Sequence, residues 1–206
     1  MGLAEKYCKD TFENVNYHAT WLPNVPMKLG DFGRFDDNIF HKFGNIRDFG
    51  VQFSAELGVG EVNQEWTSTG TSVTHFGIGL GGFINAGIQF TFGNKYGFYL
   101  LAANCQLSLM NDLASVQNTV TELFKEKGFE DMHLVNEVLT AESSNVVIAL
   151  EKNAEFAIEA KENAIPQLDL KIPNVAFNVK KNSKMGHTTI AKKGLTPLFR
   201  TLEIDS

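Results

Sequence analysis

The segment from Trp66 to Leu109 constrains the fold of this 206-residue chain most, because its 44 residues include a single charged side chain, Lys95. Charged side chains are usually spread over the solvated surface, so a segment with so few belongs in a protein core or in a membrane. Its apolar and polar residues alternate with the period of two that is typical of β-strands. We therefore predict that the segment forms β-sheet.

Three strands can be placed within this segment. Residues from Ser72 to Leu80 and from Ile84 to Phe92 alternate, and Gly81-Gly82 between them is a dipeptide typical of a hairpin connection. The run from Tyr96 to Cys105 is apolar on both faces, which is typical of a central, covered strand. The sequence thus predicts a low-charge, three-stranded β-meander over residues 66–109.

One helix is predicted at residues 111–127, and Gly128 can end it. Its narrow apolar stripe favours packing on a sheet. Strand-like runs follow over residues 134–204, so strands lie on both sides of the helix. We predict a single domain, residues 1–206, of a β-rich α+β class, with curved or closed, mostly antiparallel sheet (a barrel or a sandwich) covered by that helix. The apolar stripe of the predicted helix consists of Leu113, Val116, Val120 and Leu123.

Composition and motifs favour a protein without catalytic chemistry of its own. The formal net charge is −6, and neither the five histidines nor the two cysteines occur at metal-ligand spacing. No local motif pairs a nucleophile with a base, so we expect no enzyme activity, no cofactor and no metal. Cys8 and Cys105 are expected to be free thiols. The first ten residues lack an apolar run, which predicts a cytoplasmic protein.

The densest polar group consists of Asp36, Asp37 and His41. Two carboxylates beside an imidazole can hold a cation, or act as a base with a carboxylate that orients it. The same residues are also typical of a solvated turn that carries a surface histidine. An enzyme or interaction module built on this loop is therefore one function that the sequence leaves open.

The two alternating strands also match a membrane-inserting hairpin. Transmembrane strands have about 9–11 residues and place apolar side chains toward lipid and small or polar ones toward water. The alternative is an ordinary sheet whose apolar face is covered by protein. The candidate lipid-facing residues are Phe76, Ile78, Leu80, Ile88, Phe90 and Phe92.

A basic strip lies between residues 178 and 200, where six lysines and arginines occur without an acidic residue. Residues 1–150 carry a net charge of −8, whereas residues 151–206 carry +2. Such a strip can contact anionic lipid, phosphate or the acidic half of the same protein. Nucleic acid is disfavoured, because interleaved aromatic residues are missing. The candidate contact residues are Lys180, Lys181, Lys184, Lys192, Lys193 and Arg200.

These features rank a membrane-active β-protein first, either a pore-former or a lipid-binding effector that moves from the cytoplasm to the inner face of a membrane. It would act as a homo-oligomer, because one hairpin cannot close a barrel. A soluble barrel or sandwich that binds an apolar small molecule in a Phe-lined cavity is the alternative. An enzyme or interaction module at the Asp36, Asp37 and His41 loop is the second alternative.

Overall fold

The computed structural model describes residues 1–23, 25–58, 62–80, 83–160, 177–181 and 185–205, with the backbone alone at 62–63, 75–80, 83–88, 158–160, 177–181 and 185–195. Helices and strands in this part of the chain confirm the β-rich α+β class. Each strand pair with a known register is antiparallel.

The helices are α1, Leu3–Val15, and α2, Leu113–Lys127, with a 3-10 turn at Ile46–Phe49. Helix α2 begins within two residues of the predicted start and ends as predicted. Gly128 has a φ of 67°, and its N–H reaches the carbonyls of Lys125 and Phe124. This left-handed residue satisfies carbonyls that the last turn leaves unpaired.

The core-facing side of α2 differs from the prediction by one residue. Val116, Val120 and Phe124 are buried, whereas Leu113 and Leu123 pack against the same core only in part. Phe124 replaces Leu123 because positions 116, 120 and 124 repeat every four residues along one side of the helix.

The strands, numbered β1 to β12 in chain order, are as follows. The first six are His18–Ala19, Asp31–Asp36, Ile39–Asn45, Ala55–Leu57, Val62–Thr67 and Thr71–Leu80. The next six are Phe83–Phe92, Phe98–Met110, Met132–Ala149, Ala154–Ala160, Phe177–Lys181 and Met185–Ile204.

These strands form two sheets. The larger has the order β1-β12-β9-β2-β3, to which β8 is joined through β9, with β4 and β5 paired to β8. The smaller has the order β11-β10-β7-β6. The predicted hairpin is therefore present as β6 and β7. However, β8 pairs in the larger sheet and β10 occupies the place beside β7, so the predicted meander is a two-stranded hairpin followed by a strand of another sheet.

The chain divides into two compact units. Unit 1 comprises Met1–Val62, Cys105–Glu142 and Lys193–Ser206, and unit 2 comprises Asn63–Asn104 and Ser143–Lys192. Unit 1 carries 10 basic and 18 acidic residues, a net charge of −8, and unit 2 carries 8 and 6, a net charge of +2.

Each unit has its own apolar core. In unit 1, α2 packs on strands through Phe32, Phe124 and their neighbours, and a second cluster surrounds Phe40 and Phe199. In the described part of unit 2, the core includes an aromatic-rich cluster. Its buried members are Phe90, Phe92, Tyr99, Leu101, Val147, Ala149, Ala154 and Phe156.

Candidate functional site

The β6-β7 hairpin is the centre of the candidate membrane site. All ten residues of β6 pair with the ten of β7, from Thr71 opposite Phe92 to Leu80 opposite Phe83. Neither strand contains a charged residue. At about 3.3 Å per residue, each strand is roughly 33 Å long, which matches the hydrocarbon thickness of a bilayer.

The register decides which residues of the hairpin share a face. Leu80 pairs with Phe83, so facing position numbers always add up to 163, and an even position on β6 faces an odd position on β7. Residues directly opposite each other in an antiparallel pair belong to the same face of the sheet. One face therefore combines odd positions of β6 with even positions of β7, and the other combines even positions of β6 with odd positions of β7.

This register divides the six candidate lipid-facing residues between the two faces. Three of them, Phe76, Ile78 and Leu80, are opposite Gly87, Asn85 and Phe83. The other three, Ile88, Phe90 and Phe92, are opposite His75, Val73 and Thr71. With this pairing, the hairpin does not present all six to lipid on one side.

Strands β10 and β11 extend the face that contains Ile88, Phe90 and Phe92, which we call the apolar face. Phe156 is opposite Phe90, and Ile158 is opposite both Ile88 and Val179. The apolar face thus crosses all four strands. Its positions are 71, 73, 75, 77 and 79 of β6, 84, 86, 88, 90 and 92 of β7, 154, 156, 158 and 160 of β10, and 177, 179 and 181 of β11.

Burial supports this division at the end of the sheet where side chains are described. On the apolar face Phe90, Phe92, Ala154 and Phe156 are buried. On the other face Ser72, Thr74, Gln89 and Glu155 are exposed, and Thr91 is half-buried. The four-stranded sheet is therefore amphipathic.

The described end of the apolar face is held by ring packing. The Phe90 ring centroid lies 4.3 Å from that of Tyr99 and 5.9 Å from that of Phe156. At the base of the hairpin, the Gly93 N–H donates to the Gly70 carbonyl at 2.9 Å. A Cβ on Gly93 would lie 2.6 Å from that carbonyl oxygen, so the close backbone approach requires glycine.

Phe90 and Phe92, two of the candidate lipid-facing residues, are therefore part of the unit 2 core in this structure. Contact between these two side chains and lipid would require that core to open. The side chains of Phe76, Ile78, Leu80 and Ile88 lie outside the described part of the chain. Among the residues that the structure describes, no helix is long and apolar enough to cross a membrane.

The basic strip is distributed over two strands and both units. Lys180 and Lys181 end β11 in unit 2, Lys192 and Lys193 are neighbours in β12, and the boundary between the units falls between these two. Lys184 lies outside the described residues. The side-chain contacts of the strip can be followed only at Arg200.

Arg200 is engaged with the acidic unit 1, to which it belongs. Its Nη1 lies 3.3 Å from Oε2 of Glu137, and its Nε–H donates to the Asn16 carbonyl at 2.9 Å. Its guanidinium lies 4.1 Å from the ring centroid of Tyr17, whose hydroxyl donates to the same Glu137 oxygen at 3.1 Å. Of the partners considered for the strip, the acidic part of the same chain is the one that Arg200 contacts here.

Asp36, Asp37 and His41 lie on the β2-β3 hairpin. Asp36 ends β2, and Asp37 and Asn38 form the turn, with φ angles of 47° and 65° that are typical of a two-residue hairpin turn. His41 is on β3, opposite Arg34, and all three candidate residues are exposed. Within the described part of the chain, no three His, Cys, Asp or Glu side chains are placed to hold a metal ion.

A half-buried histidine that the sequence analysis did not select lies between aromatic rings in unit 1. The His18 ring lies 4.4 Å from the Phe12 ring, 4.3 Å from Phe35 and 5.5 Å from Phe199, measured between centroids. Burial, with a smaller contribution from the charge of His133, lowers the pKa of His18 from 6.5 to about 4. Its signal in the sequence is weak, because the three phenylalanines come from distant segments.

Both cysteines are buried free thiols, as predicted. The Cys8 thiol donates to the Ala19 carbonyl at 3.6 Å, and burial raises its pKa to about 12. A thiol that stays protonated is a poor nucleophile, so reactivity at Cys8 is suppressed in the folded protein.

The cavities of unit 1 differ from the Phe-lined pocket expected for an apolar ligand. One, of about 630 Å³, is lined by Lys28, Lys42 and Arg47 among others, and another, of about 700 Å³, by Glu122 and Glu126 among others. Comparison with protein families and with curated proteins gives no match to this chain. Any functional conclusion therefore has to come from the chain's own geometry.

Proposed function

We propose that this protein is membrane-active and that the four-stranded sheet of unit 2 enters a lipid bilayer by its apolar face. The observation that carries the proposal is an apolar face that, by register, crosses all four strands of a sheet whose central hairpin has no charged residue. Lys181, opposite Phe156 at the end away from Leu80 and Phe83, is the one charged residue among the positions of this face. Phe90 and Phe92 are covered in unit 2, so we assign first contact with lipid to the half of the face nearer Leu80 and Phe83, which includes Ile84 and Ile88.

The energetics favour a hairpin of this composition. A charged side chain at the bilayer centre costs about 2.5–3.5 kcal/mol or more, and β6 and β7 carry none. The ten-residue pairing also satisfies inner backbone hydrogen-bonding groups within the sheet, which a bilayer requires. The outer edges of a four-stranded sheet would remain unpaired in lipid, so insertion implies oligomers whose sheets join edge to edge.

Charge favours anionic lipid as the partner. Unit 2 has a net charge of +2 in a chain of net charge −6, and Lys180 and Lys181 lie on β11 of the inserting sheet. Each basic residue near an anionic membrane surface contributes about 1 kcal/mol of attraction, which salt weakens. Lys180 and Lys181 lie opposite Ala157 and Phe156, at the end of the sheet away from Leu80 and Phe83, so they would hold that end at the anionic surface while the other end enters the bilayer.

The experiment is dye leakage from vesicles of phosphatidylcholine with and without phosphatidylserine. Ile88→Asp places a carboxylate on the apolar face, and Gln89→Asp places it one residue away on the exposed polar face. We expect the wild type to release dye from the anionic vesicles, Ile88→Asp to release it at least about ten times more slowly, and Gln89→Asp to stay within about twofold of the wild type.

Circular dichroism of both variants in solution verifies that they fold. Equal leakage by wild type and Ile88→Asp would contradict insertion through this face, and no leakage by the wild type would contradict pore formation.

A second pair of variants tests the anionic contact. Lys180→Gln with Lys181→Gln removes two positive charges from β11, and Lys125→Gln with Lys127→Gln removes two from the exposed C-terminal turn of α2 in unit 1. We expect the β11 pair to weaken vesicle binding about tenfold or more, and the α2 pair to have little effect. Equal effects of the two pairs would indicate general charge attraction instead of a contact through β11.

A further inference from the structure

The cavity of about 630 Å³ in unit 1 has a lining suited to an anion. It is formed by the segment before β2, by β3, by the 3-10 turn and by residues of β4, β8 and β9. The lining combines three cations, two carboxylates and several neutral polar groups with apolar side chains. The cations are Lys28, Lys42 and Arg47, the carboxylates are Asp31 and Asp48, and the apolar side chains include Met27 and Leu29.

A buried carboxylate organises this cavity. Asp31 is 0% exposed, and its Oδ2 accepts from the backbone N–H of Lys28 and from Nζ of Lys42, both at 2.8 Å. Its Oδ1 accepts from the Asn45 amide at 2.8 Å. Asn45 in turn accepts the Arg47 N–H at 3.0 Å. The network fixes Lys42 and the start of the 3-10 turn relative to each other.

Two of the three cations retain free donor capacity toward a ligand. An ammonium has three N–H donors, and the Lys42 side chain is still 41% exposed after one of them is used by Asp31. The Arg47 guanidinium carbon lies 4.2 Å from the ring centroid of Phe53, and Arg47 is an exposed residue of the cavity lining. A guanidinium held over a ring face is suited to bidentate binding of a carboxylate or phosphate.

Local backbone geometry keeps this arrangement in place. Gly30 has a φ of 83°, and a Cβ there would lie 2.8 Å from the Phe53 ring that supports Arg47. Gly44 packs against Phe32 in the same way, at 3.0 Å. Larger residues at these glycines would displace the aromatic rings, so the shape of the cavity depends on both.

We propose that this cavity binds a small organic anion. The phosphate or carboxylate head would lie between Lys42 and Arg47, with Lys28 adding charge, and the apolar body would lie against Met27 and Leu29. Asp48 also lines the cavity, and its carboxylate repels negative charge on a ligand. A ligand with a single, compact anionic head group is therefore favoured. The proposal concerns unit 1 alone and stands whether or not unit 2 enters membranes.

Calorimetric titration of the full chain at constant ionic strength tests the proposal. The probes are phenyl phosphate, benzoate and phenol, which share a ring and differ in the head group. We expect saturable binding of phenyl phosphate or benzoate, with a Kd of about 1 mM or tighter, and none of phenol. The stronger of the two anions identifies the preferred head. Absence of saturable binding by both anions, or equal binding of phenol, would overturn the proposal.

Matched arginine variants assign the binding to this cavity. Arg47→Gln removes the cation stacked on Phe53, whereas Arg34→Gln removes a comparable arginine, 5.8 Å from the Phe43 ring and outside the cavity lining. We expect Arg47→Gln to weaken anion binding at least tenfold and Arg34→Gln to leave it unchanged. Unchanged binding in a folded Arg47→Gln variant would overturn the assignment, and Lys42→Gln provides a second test.

Discussion

The side chains that the structure describes make different kinds of interaction in the two units. Ion pairs between described side chains, such as that of Lys42 with the buried Asp31 and that of Arg200 with Glu137, lie in unit 1. The described core of unit 2 is instead an aromatic and aliphatic cluster around Phe90 and Phe156. Unit 1 therefore depends on paired charges as well as apolar burial, whereas described unit 2 contacts are dominated by apolar burial.

This difference matters for function. Charged networks hold only while both partners keep their geometry and ionisation, so they suit a preorganised polar cavity. A hairpin without charged residues, such as β6-β7, can exchange a protein environment for lipid without desolvating ions. We propose that unit 1 binds a small organic anion and that unit 2 contacts membranes, and separate experiments test the two proposals.

The largest expected effect is a loss of stability when the aromatic core of unit 2 is truncated. Phe156→Ala should lower the free energy of unfolding by about 3–5 kcal/mol, because Phe156 is 1% exposed and packs among aromatic rings. Urea denaturation followed by circular dichroism measures the change. Phe43→Ala is the matched control, because Phe43 is 56% exposed and its loss should change stability by about 0.5 kcal/mol. A Phe156→Ala cost as small as the control would contradict an aromatic core in unit 2.

The next effect concerns unit 1 and its half-buried His18. Its folded pKa of about 4 lies below the unfolded value of 6.5, so the unfolded chain binds the proton more readily. His18 thus imposes no penalty above about pH 6.5, and stability is lost progressively as the pH falls from 6.5 to about 4. At about 1.4 kcal/mol per pKa unit, the full loss is about 3 kcal/mol.

His18→Phe isolates this contribution, because carboxylates titrate equally in both proteins. Thermal unfolding from pH 7 to pH 4 should show a loss of stability that is smaller in the variant by about 3 kcal/mol. Parallel pH profiles of the wild type and His18→Phe would show that the burial of His18 among the phenylalanines does not oppose protonation.

Local patterns in the sequence predict the local elements well. Alternation identifies β6 and β7, and apolar spacing with Gly128 locates α2, because each signal depends on neighbours a few residues apart. Apolar spacing does not identify helix α1. It buries only Tyr7, Cys8 and Thr11, so it lacks the apolar stripe by which an amphipathic helix is recognised.

Strand pairing is less accessible from sequence. The β8 strand follows β7 directly in the chain, yet it pairs with β4, β5 and β9. Its side chains are apolar on both faces, so the pattern predicts burial without indicating the neighbour. The aromatic surroundings of His18 are hidden for the same reason, since residues 12, 35 and 199 meet only through tertiary packing.

The sequence alone can predict which residues of β6 and β7 share a face of the hairpin. If Gly81-Gly82 is a two-residue connection, Leu80 must pair with Phe83, and even positions of β6 then face odd positions of β7. The apolar series of the two strands therefore cannot share a face. Alternation within one strand predicts that the strand is amphipathic. The length of the connection between two strands determines which of their alternating residues lie on the same face of the sheet.

The central claim is that Ile88 enters lipid while Gln89, its neighbour on the other face, remains in water. An environment-sensitive fluorophore can be attached in the variants Ile88→Cys and Gln89→Cys, since the native Cys8 and Cys105 are buried. On adding phosphatidylserine vesicles, we predict a blue shift and quenching by lipid-attached quenchers at position 88, with neither at position 89. Equal responses at the two positions, or a response at position 89 alone, would contradict insertion through the apolar face.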